Sequence, residues 1–215
     1  MSTMIVLAKA PVPGRVKTRL CPPCTPAEAA LVAEAALRDT LDVAIAARPD
    51  RLVVVLDGDR PLWFPNELEV IAQRAGGLGA RLADAFADCL GDTREPTMLV
   101  AMDTPHVDPT WLRGGFTALQ SGADAVLGMT DDGGYWVVGL HEARNAVFDG
   151  VPMSEAITGV AQRARLESLG LRVAVLPQTF DIDTRAELDR VVEEHPDLRT
   201  SNVWRALRSV SDSAP

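Results

Sequence analysis

The stretch MIVLAKAPVPGRVKTRL, Met4 to Leu20, joins two kinds of sequence. Met4 to Ala8 is apolar at every position, the pattern of a strand buried on both faces of a sheet. The remainder has loop chemistry. Gly14 permits positive φ and close backbone approach to a ligand. Pro11 and Pro13 stiffen the chain, and Lys9, Arg15, Lys17 and Arg19 make it basic. Met1 to Leu20 holds no Asp or Glu, although the whole chain carries a formal net charge of −9. A compact positive patch on an acidic protein points to a small anionic ligand, phosphate first. The plainer reading is a rigid basic connector. The spacing fits neither a Walker A loop nor a dinucleotide fingerprint.

Outward from this segment, short apolar runs alternate with longer amphipathic ones. Leu52 to Asp57, Met98 to Met102, Ala125 to Met129, Tyr135 to Leu140 and Val173 to Leu176 read as strands, and Glu69 to Ala72 as a weaker one. Thr25-Pro26-Ala27-Glu28 is a capping box with proline at the first helical position, opening a helix to Ala47. Further helices are expected from Leu78 to Leu90, from Asp108-Pro109, and from a Ser154 cap to before Gly170. Two more follow, from the capping box at Thr184 to Glu194 and around Val203 to Arg208. The alternation predicts an α/β fold. It is a single three-layer α/β/α domain with a mostly parallel sheet over residues 1–208, and a flexible tail over 209–215.

The totals bound the function. A chain of 215 residues, 47% hydrophobic, can bury a substantial core. Its acidic balance argues against nucleic acid or an anionic membrane surface as partner. No apolar run reaches the roughly 18 residues of a membrane span. The basic residues follow the first apolar run instead of preceding it, unlike a signal peptide, so a cytoplasmic location is expected. Three cysteines fit a reducing compartment. Cys21-Pro22-Pro23-Cys24 lacks the two further ligands of a zinc site.

In open parallel sheets, ligands bind beyond the carboxyl ends of the strands. Four segments fall there besides the basic loop. In AMDTPHV, Ala101 to Val107, Asp103 leaves the sheet where a carboxylate can hold Mg²⁺ or Mn²⁺ beside phosphates, or simply form a turn. His106 beside it is a candidate substrate contact or a surface histidine. TDDGGYWVVGL, Thr130 to Leu140, reads as a tight β-connection whose Gly133 and Gly134 could offer bare backbone to a substrate. Asp131 or Asp132 is a candidate base for an acceptor hydroxyl. In FDIDTRAEL, Asp181 or Asp183 is a second metal ligand or a helix-start acid, and only one of the two is expected to face the metal. QRAGGLGAR, Gln73 to Arg81, is a base-binding loop or a turn, with Gln73, Gly77 and Gly79 as candidate contacts.

Taken together, AKAPVPGRVKTRL, Asp103-Thr104-Pro105, DGGY at Asp132 to Tyr135 and DIDT at Asp181 to Thr184 resemble a bacterial family of GT-A-like transferases, with the nucleotide-diphospho-sugar transferase fold. Its members are described as uncharacterised or arsenosugar-biosynthesis-type glycosyltransferases. The resemblance runs from Met4 to Val192. The Lys9…Lys17-Thr18-Arg19-Leu20 pattern is also similar to phospholactate guanylyltransferases and, more distantly, to molybdenum-cofactor nucleotidyltransferases. The resemblance implies a nucleotide under the first loop, Asp103 and Asp181 or Asp183 on the metal, and the base near Gln73 to Arg81. This chain departs from the family in carrying Met153-Ser154 in place of a Trp-Ser pair at the acceptor side, and in its paired cysteines.

Three functions remain in view. In nucleotidyl transfer, an NTP places its phosphates on Ala10, Pro11, Gly14, Arg15, Lys17 and Arg19. Lys17 and Arg15 neutralise charge, and a small phosphorylated or anionic acceptor attacks. In glycosyl transfer from a nucleotide-sugar, Asp132 serves as base. The third is a catalytically silent nucleotide-binding protein. Substrate contacts in the first two come from His106, Gly133, Gly134 and Ser154.

Overall fold

A computed structural model describes residues 1–91 and 93–211. In chain order its elements are β1 (Thr3–Lys9), α1 (Pro26–Ala46), β2 (Arg51–Asp57), β3 (Glu69–Ala72), α2 (Leu78–Leu90), β4 (Thr97–Ala101) and α3 (Pro109–Gln120). They continue with β5 (Ala125–Thr130), β6 (Tyr135–Leu140), α4 (Thr158–Ser168), β7 (Val173–Thr179), α5 (Arg185–Glu194) and α6 (Arg199–Ser211). The strands form one sheet in the order β3-β2-β1-β4-β6-β5-β7. Every neighbouring pair is parallel except those made by β6, which runs antiparallel to both β4 and β5.

Side-chain alternation in β1 shows why its apolar run is unbroken. Met4, Val6 and Ala8 enter one core, shared with residues of α1 and α3. Ile5 enters the other, with residues of α2 and α4. A strand covered by helices on both faces has no solvent-facing side to make polar. Burying such side chains contributes roughly 1.5–3 kcal/mol each. A third cluster, including Leu20, Val32, Ile182, Leu188 and Trp204, joins α5 and α6 to α1 beneath the site.

Local signals place most helix ends. Thr25 and Glu28 form the capping box that starts α1, and Thr184 and Glu187 repeat it for α5. Asp108 caps α3, accepting from Thr110 N at 2.7 Å. Two expectations need correction. Ser154 is not a cap; it has a φ of 60°, and α4 begins at Thr158. The Thr158 hydroxyl does the local ordering instead, accepting from Glu155 N at 3.0 Å and donating to Pro152 O at 2.8 Å. The last helix is longer than Val203 to Arg208 at both ends, so 209–211 are helical and not a tail; 212–215 lie outside the described residues. No helix among the described residues is long and apolar enough to cross a membrane.

Candidate active site

Six strands bring their carboxyl ends to one edge of the sheet, and antiparallel β6 brings its amino end there. The loops leaving that edge enclose a cavity of about 510 Å³, a size suited to a nucleotide-sized ligand. Its wall includes Arg15, Lys17 and Arg19 after β1, Gln73 and Arg81 beyond β3, and Asp103 after β4. Asp132 and Gly134 between β5 and β6, Ser154 before α4, and Asp181 and Asp183 after β7 complete it.

The basic loop is shaped by its turn chemistry. Arg15 N donates to Val12 O at 3.0 Å, with Pro13 and Gly14 between them and Gly14 at φ 78°. That is a type II turn, in which proline suits the second position and the third requires positive φ. Lys17 then adopts a left-handed conformation, φ 48° and ψ 37°, uncommon for a residue with a side chain. Its side chain is only 6% exposed, and its ammonium is ion-paired with Asp103, donates to the Ile182 carbonyl and lies 3.7 Å from Asp183 Oδ1. Lys17 thereby ties together the chain ends after β1, β4 and β7, although the sequence reading turned it toward phosphates. Arg19 Nη1 reaches Asp183 Oδ2 at 2.5 Å, and Arg15 lies 3.7 Å from Asp57. Both arginine side chains are largely exposed at the cavity, so each can meet an anion alongside its carboxylate partner.

The acids divide into two kinds. Asp103 and Asp183 are ion-paired. Asp132 instead accepts hydrogen bonds at one oxygen, from Thr130 Oγ1 at 2.6 Å and Gly134 N at 2.9 Å. Burial, then the charges of Asp132, Asp183 and Asp103, push the Asp181 carboxyl up to about 6. Asp181 and Asp183 both line the cavity. Residues i and i+2 of an extended segment share a face, and the intervening Ile182 is buried in the core. Asp131 leaves the cavity, paired with Arg190 at 3.0 Å and Gln178 at 3.0 Å, so Asp132 is the acid of that turn that remains in it.

Among the described residues, no group of three or more His, Cys, Asp or Glu side chains is placed to hold a metal by itself. Mg²⁺ demands less from a protein, since one or two carboxylates plus substrate phosphates suffice. Asp103 and Asp183, both engaging Lys17, are a donor pair of that kind.

Several candidate contacts lie outside the cavity wall. Ala10 is buried, its N–H donating to Asp57 O, and Pro11 and Gly14 shape the loop behind the cations. Gly77 is the residue before α2, and Gly79 sits where a Cβ would press on Met153 and Phe148. Gly133, at φ 88°, offers no bare backbone, because a Cβ there would lie 1.9 Å from Ala156 O. It lets the segment before α4 pass close, and the Gly133 carbonyl accepts from Gly159 N, in the first turn of α4, at 2.8 Å. His106 is neither on the surface nor in the cavity. It stacks on Phe180 at 4.1 Å, and its Nε2 lies 3.0 Å from Thr179 Oγ1. Burial, then the charges of His195 and Arg190, lower its pKa to about 4.

The wall also contains Lys9 and Met153, and residues that were not candidate contacts, among them Arg81, Thr130 and Tyr135. Tyr135 closes DGGY and Arg81 closes QRAGGLGAR, so position at a motif's end was the available signal. Burial pushes the Tyr135 hydroxyl pKa upward, and the hydroxyl meets Gln162 Oε1 at 3.3 Å.

This sheet order, with a strand-end cavity that sets cations against acids, is the GT-A-like fold of nucleotidyl- and nucleotide-sugar transferases. Within that class the chain belongs to the family described as "Uncharacterized protein conserved in bacteria (DUF2064)", which matches residues 31–155. A crystal structure from Desulfovibrio desulfuricans G20, provisionally assigned as a nucleotide-diphospho-sugar transferase, is 26% identical with a TM-score of 0.84, covering 97% of this chain and 95% of that one. Rv0371c from Mycobacterium tuberculosis H37Rv, solved in complex with manganese, is 25% identical with a TM-score of 0.56, covering 89% of this chain and 97% of its own. The 4-diphosphocytidyl-2C-methyl-D-erythritol synthase of Anaerococcus prevotii DSM 20548 shares the fold at 12% identity and a TM-score of 0.58, over 87% of this chain and 94% of that one. No curated protein gives a significant sequence match.

Proposed function

We propose that this protein is a metal-dependent nucleotidyltransferase, moving a nucleotidyl group from an NTP to a small phosphorylated or anionic acceptor. One observation carries the reading: Arg15, Lys17 and Arg19, from a single loop, border the same cavity as Asp103 and Asp183. A pyrophosphate leaving group concentrates negative charge, and several fixed cations near it lower the barrier. Asp103 and Asp183 would hold Mg²⁺ or Mn²⁺, which would neutralise phosphate charge when bound. The manganese complex of Rv0371c supports a divalent metal as part of this reading.

In this reading an acceptor oxyanion attacks the α-phosphorus. The new P–O bond forms as the bond to the β-phosphate bridge breaks, and pyrophosphate leaves toward Arg15 and Arg19. Asp132, held by Thr130 and Gly134, takes the proton when the acceptor arrives protonated. Lys17 positions Asp103 and Asp183 and balances their charge. Ser154 and Gly134 border the acceptor side.

A second reading is glycosyl transfer from a nucleotide-sugar, favoured by the assignment of the Desulfovibrio structure. Product analysis separates the two. The protein is incubated with each NTP, or with nucleotide-sugars, plus Mg²⁺ or Mn²⁺ and a panel of phosphorylated and carboxylate acceptors. Pyrophosphate release that requires an acceptor is the expected result. Release of a nucleoside diphosphate from a nucleotide-sugar would replace it with the second reading. Nucleotide binding with neither product would leave a silent binding protein.

A further inference from the structure

The loop that carries the site's cations ends in two thiols. Cys21-Pro22-Pro23-Cys24 follows the short turn Thr18–Leu20 and precedes Thr25, the cap of α1. Both cysteines are free. Cys24 N–H donates to Leu20 O at 2.8 Å, which closes residues 20–24 into one turn with both thiols on it. The two differ in access. Cys21 is half-buried, whereas Cys24 is 8% exposed and packs in the cluster that holds Leu20, Val32 and Ile182. Burial, then the charges of Glu28 and Cys21, raise the Cys24 thiol above its usual range, which favours its protonated form. Cys21 is therefore the thiol open to attack from solvent, and Cys24 the one held in reserve behind it.

The backbone of Cys21 is tied to the cation loop. Cys21 N–H donates to Thr18 O at 3.1 Å, and Leu20 N–H donates to Lys17 O at 2.9 Å. Arg19, two residues before Cys21, pairs with Asp183. The two prolines between the cysteines have φ fixed by their rings, which leaves the turn little freedom to absorb a contraction. Cys24 is anchored by its burial and by the capping box beside it. Drawing the sulfurs to the roughly 2.05 Å of a disulfide therefore moves Cys21, and with it the turn that places Lys17 and Arg19.

We propose that Cys21 and Cys24 form a reversible disulfide that weakens the anion site of the neighbouring loop. The oxidant is a small-molecule disulfide. The Cys21 thiolate attacks one of its sulfurs, a mixed disulfide forms, and one small thiol leaves. Cys24 then gives up its proton and attacks Cys21 Sγ. The new S–S bond forms as the mixed disulfide breaks, and the second small thiol leaves. The chain loses two electrons and two protons, and the small disulfide takes up both to become two thiols. A reducing dithiol reverses each step. The disulfide is independent of the functional reading, whereas its effect on binding rests on the cavity being a phosphate site.

The test treats the full chain with oxidised glutathione, counts its thiols after unfolding, and titrates treated and untreated protein with inorganic pyrophosphate and Mg²⁺. Of the three thiols only Cys89 should remain, with Cys21 and Cys24 joined in a peptide mass map. Pyrophosphate affinity should fall at least about tenfold and return with dithiothreitol. Cys24→Ala should stop at one glutathione on Cys21. Cys21→Ser should keep its thiols and bind pyrophosphate equally before and after treatment. Three thiols retained, a mixed disulfide that Cys24 never resolves, or a Cys21–Cys24 disulfide with unchanged pyrophosphate affinity would overturn the inference. Pyrophosphate left unbound by the untreated chain would instead overturn the phosphate reading of the cavity, and the coupling with it, while the thiol count still decides the disulfide.

Discussion

Two pairs of aspartates share one cavity and live under different electrostatics. Asp103 and Asp183 face the Lys17 ammonium, and Arg19 adds a second cation to Asp183. Asp132 and Asp181 have no such ion pair among the described residues; one is held by neutral donors, and the other is pushed up to about 6. The first pair is held in place by its cations, as candidate ligands for a metal should be. The second includes the acid best able to exchange a proton near neutrality, and the acid best oriented to receive one. A site that must hold charge and also move a proton needs both kinds.

The largest effect tests the first pair. Asp103→Ala should lower metal-dependent turnover by about 10²–10³-fold, comparable to removing a preorganised charge-stabilising group. Unchanged turnover would show that Asp103 serves only as a turn. On the buried side of the same segment, His106 applies the rule to a base. Its folded-state pKa, about 4, lies below its ordinary value, so below about pH 6.5 the unfolded chain takes up a proton that the folded chain refuses. Stability should therefore be fully present above pH 6.5 and decline toward pH 4, by about 3 kcal/mol from this residue. Denaturant unfolding across that range should show the decline in the wild type and a flatter profile in His106→Asn. Parallel profiles would contradict the assignment.

Asp132→Asn sharpens the other side of the comparison, with turnover down about 10²-fold and nucleotide affinity held. Lys17→Met should cost about 2 kcal/mol of stability without metal. It leaves two partly exposed carboxylates facing one another, and it should make added Mn²⁺ more stabilising than in the wild type. A variant as stable as the wild type would remove Lys17 as the tie between the three loops. The smallest effect belongs to Asp131→Asn. Its pair with Arg190 is about half-exposed, so less than about 0.5 kcal/mol and no activity should be lost.

Sequence made the fold legible where local chemistry decides it. The apolar runs needed only small shifts at their ends, with β4 stopping at Ala101 and not Met102, and α2 runs from Leu78 to Leu90 as the pattern predicts. The two capping boxes started α1 and α5 as read. The failures share one cause, partners far away in the chain. His106 is buried by Thr179, Phe180 and His195, more than seventy residues on. Gly133 owes its lack of a side chain to Ala156, and Ser154 yields its cap role because its segment wraps that same turn. Lys17 was legible as a cation, but its neighbours Asp103 and Ile182 were supplied only by the sheet order.

The most direct test of the account is thermal unfolding of the wild type and Asp103→Ala with a nucleoside triphosphate, in Mg²⁺, Mn²⁺ or EDTA. At about 100 times its dissociation constant a bound nucleotide should stabilise the wild type by ~2.7 kcal/mol. The account predicts that gain with either metal, and its loss both in EDTA and in Asp103→Ala. An equal gain in EDTA, or none with any of the four triphosphates, would contradict it.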